Sequence, residues 1–190
     1  MKQITIQGKY QKIKIDKATC DKSCDKSCDK SCDKSCDKSC DTALRECMNA
    51  IDEHYFDPKI QKTLINRLYL DETIPYKNEI LKELDKKLSS YSNQDLHKKK
   101  YTNHETTITR DEIIEKLVLS RLKCFYCKCD MVFLYNKVRS MDQWTLDRIN
   151  NDSNHCSKNV IISCLKCNLQ KRCQNHDKFL FTKRLTISKV

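Results

Sequence analysis

The chain reads as an α+β protein, with helices ahead of a small metal-stapled domain. Three observations carry that reading. Apolar residues recur at helical spacing between residues 41 and 91 and again after Thr109. Residues 2–15 instead alternate, with Ile4 and Ile6, then Tyr10, Ile13 and Ile15. Cys124-Phe-Tyr-Cys127 is matched downstream by Cys164-Leu-Lys-Cys167, so two distant pieces of chain can supply four thiolates to one ion.

Residues 1–17 are expected to form a β-hairpin, with Gly8, the only glycine, between its two halves. Residues 18–41 hold a Cys-Asp-Lys-Ser repeat with cysteines at 20, 24, 28, 32, 36 and 40. Cysteines four apart would share one face of a helix and could load metal. The repeat has no apolar residue to bury, so burial cannot offset its ordering entropy, and it reads as a disordered tract.

Residues 42–108 read as a helical region followed by a polar linker. Asp41 can cap a helix carrying Leu44, Cys47, Met48 and Ile51. Asp57-Pro58 starts a second, striped by Ile60, Leu64 and Leu68. Pro75 precedes a third, with Ile80, Leu81, Leu84 and Leu88. These stripes read as packing surfaces for one another. From Ser89 to Thr107 the chain turns polar and includes Lys98-Lys99-Lys100, as a linker would. Thr109-Arg-Asp-Glu112 fits a capping box, so residues 109–190 are expected to form the C-terminal domain.

Composition narrows the setting. Hydrophobic residues make up 38% and charged residues 33%, with a formal net charge of +11 and a pI of about 9.0. That excess favours an anionic partner, most simply nucleic acid. The start of the chain has no apolar signal core, and no stretch has the length of a membrane span. No membrane or small-molecule partner is expected. The expected setting is an intracellular, reducing one, the cytoplasm or nucleus of a host cell. There the fourteen cysteines serve metals more readily than disulfides.

Cys124, Cys127, Cys164 and Cys167 are the expected zinc ligands. Four protein ligands leave no open position, so the zinc would be structural. Cys129, Cys156 and Cys173 lack a matched spacing and read as ordinary thiols, with Cys129 alone close enough to substitute.

Between the knuckles lie Leu146-Asp-Arg-Ile149, His155 and Asn159-Val-Ile-Ile, and Asn168 follows Cys167 directly. On these residues the segment from about 120 to 180 resembles the HNH endonuclease family in its zinc-ribbon-stapled form. It is similar to HNH sequences that recur in large DNA viruses and phages. The resemblance implies a ββα-metal (His-Me finger) fold, with strands at Gln143–Ile149 and Asn159–Ser163 and a helix from Leu165 to about Asn175. It implies metal-dependent hydrolysis of DNA phosphodiester bonds, with RNA also open as a substrate. Asp147 and Asn168 would hold Mg²⁺ or Mn²⁺ through oxygen, the donor such ions take. Asn159 would orient the site, and Lys166, Lys171 and Arg172 would meet phosphates.

One position departs from the family. The residue after the metal-binding Asp is commonly His, the general base, and here it is Arg148, which cannot accept a proton near pH 7. Either His155 supplies the base while Arg148 contacts the scissile phosphate, or the protein binds nucleic acid without cleaving it. His176 reads as a favourable charge at a helix C-terminus, and Trp144 as core packing.

Overall fold

The computed structural model describes residues 51–99 and 106–185. The expected hairpin, the Cys-Asp-Lys-Ser repeat and the helix after Asp41 lie outside the described residues, apart from Ile51, which is buried.

Helix α1 spans Pro58–Tyr69 and is capped by Asp57, whose carboxylate accepts from Lys59 N at 2.8 Å. It buries Leu64, Ile65 and Leu68, and also Gln61. The Gln61 amide is matched to the loop before β1. It donates to Leu134 O at 2.9 Å and accepts from the amides of Phe133 and Leu134. A fully buried amide is tolerated because those bonds replace water.

Helix α2 spans Lys77–Asn93 and buries Ile80 and Leu84. It does not stop where the sequence turns polar. A wider π-type turn, Gln94–Lys99, extends it through much of the stretch expected to be a linker. The reason is tertiary: the Tyr91 hydroxyl accepts from Leu146 N at 3.1 Å, and Asp95 is buried against His155. Such contacts override weak local propensity.

Helix α3, Arg110–Ser120, begins at the expected capping box. Thr109 N donates to Glu112 Oε2 at 2.8 Å, and Glu112 N returns to Thr109 Oγ1 at 3.3 Å. It packs on α1 through Ile113, Ile114 and Leu117. Arg121 and Leu122, both at positive φ, then turn the chain into Cys124.

Strand β1 (Trp144–Arg148) pairs antiparallel with β2 (Val160–Cys164), with Asp147 opposite Ile161. Helix α4 (Leu165–Lys171) follows β2 without a loop. The helix expected to reach about Asn175 ends four residues earlier. Arg172 leaves helical geometry at φ 51°, and Asn175 caps a new helix, α5 (His176–Arg184), by accepting from Asp177 N and Lys178 N. Helices α1, α2 and α3 and the sheet share one hydrophobic cluster that runs from Leu64 and Ile80 to Leu117, Trp144, Ile162 and Phe179. Trp144 is core, as expected, and its indole N–H donates to Phe133 O at 3.1 Å.

Candidate metal centre and the strand–helix site

The four knuckle cysteines meet. Their sulfurs all lie within 4.8 Å of one another, and Cys127 Sγ is 3.8 Å from Cys164 Sγ. Zinc–sulfur bonds of about 2.3 Å put the edge of a tetrahedron at about 3.8 Å, so the donor set fits zinc. The backbone prepares the site: Cys164 N donates to Cys124 Sγ at 3.3 Å, and Cys167 N to Cys164 Sγ at 3.4 Å. Bonds from the Cys164 and Cys167 thiols hold the Cys124 thiol well below the ordinary thiol range. Lys128, at φ 61°, closes the first knuckle by donating to Cys124 O. That turn leaves Cys129 exposed at the rim, its sulfur 3.2 Å from Cys127 Sγ. Cys156 is buried, whereas Cys173, expected to be an ordinary thiol, is disulfide-bonded.

Strand alternation sends Thr145 and Asp147 to one face of β1 and Arg148 to the other. The first face meets α4. Asn168 Nδ2 donates to Thr145 Oγ1 at 3.1 Å and to Leu146 O at 3.2 Å. One turn on, Lys171 Nζ reaches Asp147 Oδ1 at 3.2 Å and Arg148 O at 2.7 Å. The second carboxylate oxygen accepts from the Tyr126 hydroxyl at 2.5 Å, and His176 Nδ1 lies 3.1 Å from that hydroxyl. Burial raises the Asp147 carboxyl above its ordinary value, against the opposing pull of Lys171 and Tyr126.

The other face holds a second polar cluster. His155 is buried, with Nδ1 2.7 Å from Asp95 Oδ1 and its backbone amide donating to Asp95 Oδ2 at 2.8 Å. Its ring packs on Tyr91. Burial lowers its proton affinity, and Asp95 opposes that shift. Arg148 turns to the same place, 3.9 Å from Asp95 Oδ1 and 3.4 Å from Ser153 O. Asn159 fastens the intervening loop, accepting from Asn150 N and donating to the carbonyls of Asn150 and Asn154.

Asp147 and Asn168 therefore come together at the β1–α4 junction, while Arg148 and His155 sit with Asp95 behind the strand. Lys166 and Arg172 are exposed. Two expectations need correction. Lys171 is fully buried and spent on Asp147, because it lies one turn from Asn168 on the inward face of α4, not on a surface where phosphate would lie. His176 opens α5 instead of closing α4, because the chain breaks at Arg172.

Sequence reasoning missed Tyr126 and Asp95. Tyr126 carried a signal, since a residue inside a knuckle must follow its cysteines to the sheet. Asp95 carried only its four-residue spacing from Tyr91, which puts both on one helix face. Among the described residues no helix is long and apolar enough to cross a membrane. No family model, curated protein or solved structure matches the chain.

Proposed function

We propose that the protein is a metal-dependent endonuclease of the HNH type, hydrolysing DNA phosphodiester bonds, with β1, β2 and α4 as its ββα-metal finger. The observation that carries this reading is the meeting of Asp147 and Asn168 at one strand–helix junction, framed by four clustered cysteines. Asp147 through its carboxylate and Asn168 through Oδ1 would hold Mg²⁺ or Mn²⁺. Their donor chemistry fits, since a carboxylate oxygen that accepts one hydrogen bond keeps a second lone pair. Such an ion supplies charge stabilisation to the phosphate and the departing 3′ oxygen. The protein's own part is to orient the donors. Lys171 and Tyr126 fix the carboxylate rotamer, and Asn168 is tied to β1 through Thr145. The exposed Lys166 and Arg172, with the net charge of +11, suit a polyanion held mainly through its backbone.

A second reading, nucleic-acid binding without cleavage, is favoured by one observation: both Asp147 oxygens already carry hydrogen bonds, and the next residue is an arginine. Plasmid nicking with Mg²⁺ or Mn²⁺ separates the two. The endonuclease reading expects the wild type to nick and Asp147→Ala and Asn168→Ala to fail. Wild-type nicking no faster than the variants, with DNA still retarded on a gel, selects the second reading.

A further inference from the structure

We propose that Cys127 and Cys129 form a redox modification site, where a peroxide joins the two sulfurs as a disulfide and opens the metal centre. The inference needs zinc in the four-cysteine site, and it does not depend on the endonuclease reading.

Five sulfurs crowd the first knuckle and its partner, and a tetrahedron takes four. Cys129 stands outside the group of four. Its sulfur is nevertheless 3.2 Å from Cys127 Sγ, closer than the 3.8 Å between Cys127 Sγ and Cys164 Sγ. The backbone holds it there. Lys128 N donates to Cys124 O at 3.0 Å, and Cys124 N donates to Cys129 O at 2.9 Å. Those two bonds close residues 124–129 into a loop, with Lys128 at φ 61° turning the chain. A spare thiol is thereby fixed beside the ligand at the rim.

Exposure selects the same pair. Cys124 is fully buried and Cys164 and Cys167 are each 1% exposed, whereas Cys127 and Cys129 are both exposed. A dissolved oxidant therefore meets Cys127 before the other three ligands. A metal-bound cysteine is a thiolate, the nucleophilic form of sulfur. The two sulfurs are already inside van der Waals contact, so side-chain rotation alone brings them to bonding distance.

The Cys127 thiolate attacks one oxygen of hydrogen peroxide. The O–O bond breaks, hydroxide leaves, and Cys127 becomes a sulfenic acid. The Cys129 thiol attacks that sulfur, its proton joins the departing hydroxyl, and water leaves. Two electrons pass from the sulfur pair to the peroxide, which ends as hydroxide and water. Cys127 then has no charge to offer an ion, and the centre keeps three thiolates and an open position. A dithiol reductant restores both thiols by exchange. Tyr126, next to Cys127, carries the hydroxyl that holds Asp147, so the change reaches the strand–helix site.

The test uses the full chain, purified with zinc, and hydrogen peroxide as the probe. A chromogenic chelator follows zinc release. Oxidised sulfurs are found by labelling free thiols before reduction and the remainder after it. Trypsin cuts after Lys123, Lys128 and Lys137, so Cys129 falls on a different peptide from Cys124 and Cys127, and fragmentation separates the latter two. At early times the second label is expected on Cys127 and Cys129, in step with zinc release, while Cys124, Cys164 and Cys167 carry the first. Dithiothreitol with added zinc is expected to restore the centre. Cys129→Ser, and Cys129→Ala as a second variant, are expected to bind zinc and melt as the wild type does. Both should lose zinc to peroxide about tenfold more slowly and fail to recover, because an unpartnered Cys127 proceeds to sulfinic acid. Wild-type release rates with full recovery in both variants overturn the proposal. An early second label on Cys124, Cys164 or Cys167 does the same. If Cys127→Ser holds zinc as tightly as the wild type, Cys129 is a ligand and not the resolving thiol, and the proposal is wrong. A chain that purifies without zinc removes the metal centre and the proposal with it, whatever the plasmid assay shows.

Discussion

The Tyr126 hydroxyl stands 2.5 Å from Asp147 Oδ2, so the first cysteine knuckle touches the carboxylate at the centre of the candidate site. Tyr126 lies between Cys124 and Cys127, and its own ionisation is strongly disfavoured by burial and by the Asp147 charge. It is therefore a neutral donor. Tyr126→Phe keeps the ring and removes only the hydroxyl, leaving a buried carboxylate oxygen short of a donor. The expected loss is about 1–3 kcal/mol of folding stability, read as a lower urea midpoint at unchanged slope. An unchanged midpoint would show that the bond contributes nothing.

The same knuckle supplies two of the four thiols that could hold a metal ion, so the fold is expected to depend on metal. Three of the four clustered sulfurs are buried between β2, α4 and the end of α3. Without an ion, thiolates packed this closely repel, and the two knuckles lose their cross-link. Purified protein is expected to carry stoichiometric zinc, and a strong chelator to abolish cooperative thermal unfolding, with Cys124→Ser behaving likewise. Cobalt substitution should give the sulfur-to-metal absorption of a four-thiolate site. A chelated sample with the melting curve of the zinc form would refute this.

Lys171 and Asp147 form an ion pair with side chains 0% and 5% exposed. Removing one partner strands the other charge. Lys171→Met is expected to cost about 3–5 kcal/mol, as is usual when a buried pair is broken. The double variant with Asp147→Asn is expected to be more stable than the sum of the two single effects predicts. Strict additivity in this double-mutant cycle, by urea unfolding, would mean that the two charges do not couple.

How much of this was legible beforehand depended on range. The knuckles, the Asp57 and Thr109 caps and the apolar stripes of α1 to α3 are local patterns, and the chain states them directly. Asp147 and Asn168 could be paired through the family resemblance, and the uninterrupted passage from β2 into α4 leaves Asn168 little freedom. The partners of those residues were hidden. Lys171 looks like any basic residue on a polar helix until α4 packs on β1, where its ammonium meets Asp147 and the Arg148 carbonyl. Asp95 belongs to a stretch whose composition says linker, and its partner His155 is 60 residues away. The break at Arg172, which moves His176 from the end of one helix to the start of another, rests on a positive φ at a residue that gives no warning of it.

The buried imidazoles set a pH dependence whose sign can be worked out. The ordinary histidine value is 6.5, and both His155 and His176 fall below it in the folded state, burial being the first cause in each. Between the folded value and 6.5 the unfolded chain therefore binds more protons than the folded one. Stability from these groups is complete above about pH 6.5 and declines as pH falls through that value towards the folded one. Asp95 and Arg148 act on His155 in opposite directions, so removing Asp95 unmasks the burial effect. Asp95→Asn is expected to push the His155 transition lower still and to lower stability at neutral pH by removing a buried charged acceptor. Thermal melts from pH 8 down to 5 should show the wild-type decline. His155→Asn, which cannot titrate, should flatten much of it. A wild-type melting temperature that rises on acidification across this window would contradict the assignment of both imidazoles as neutral in the fold.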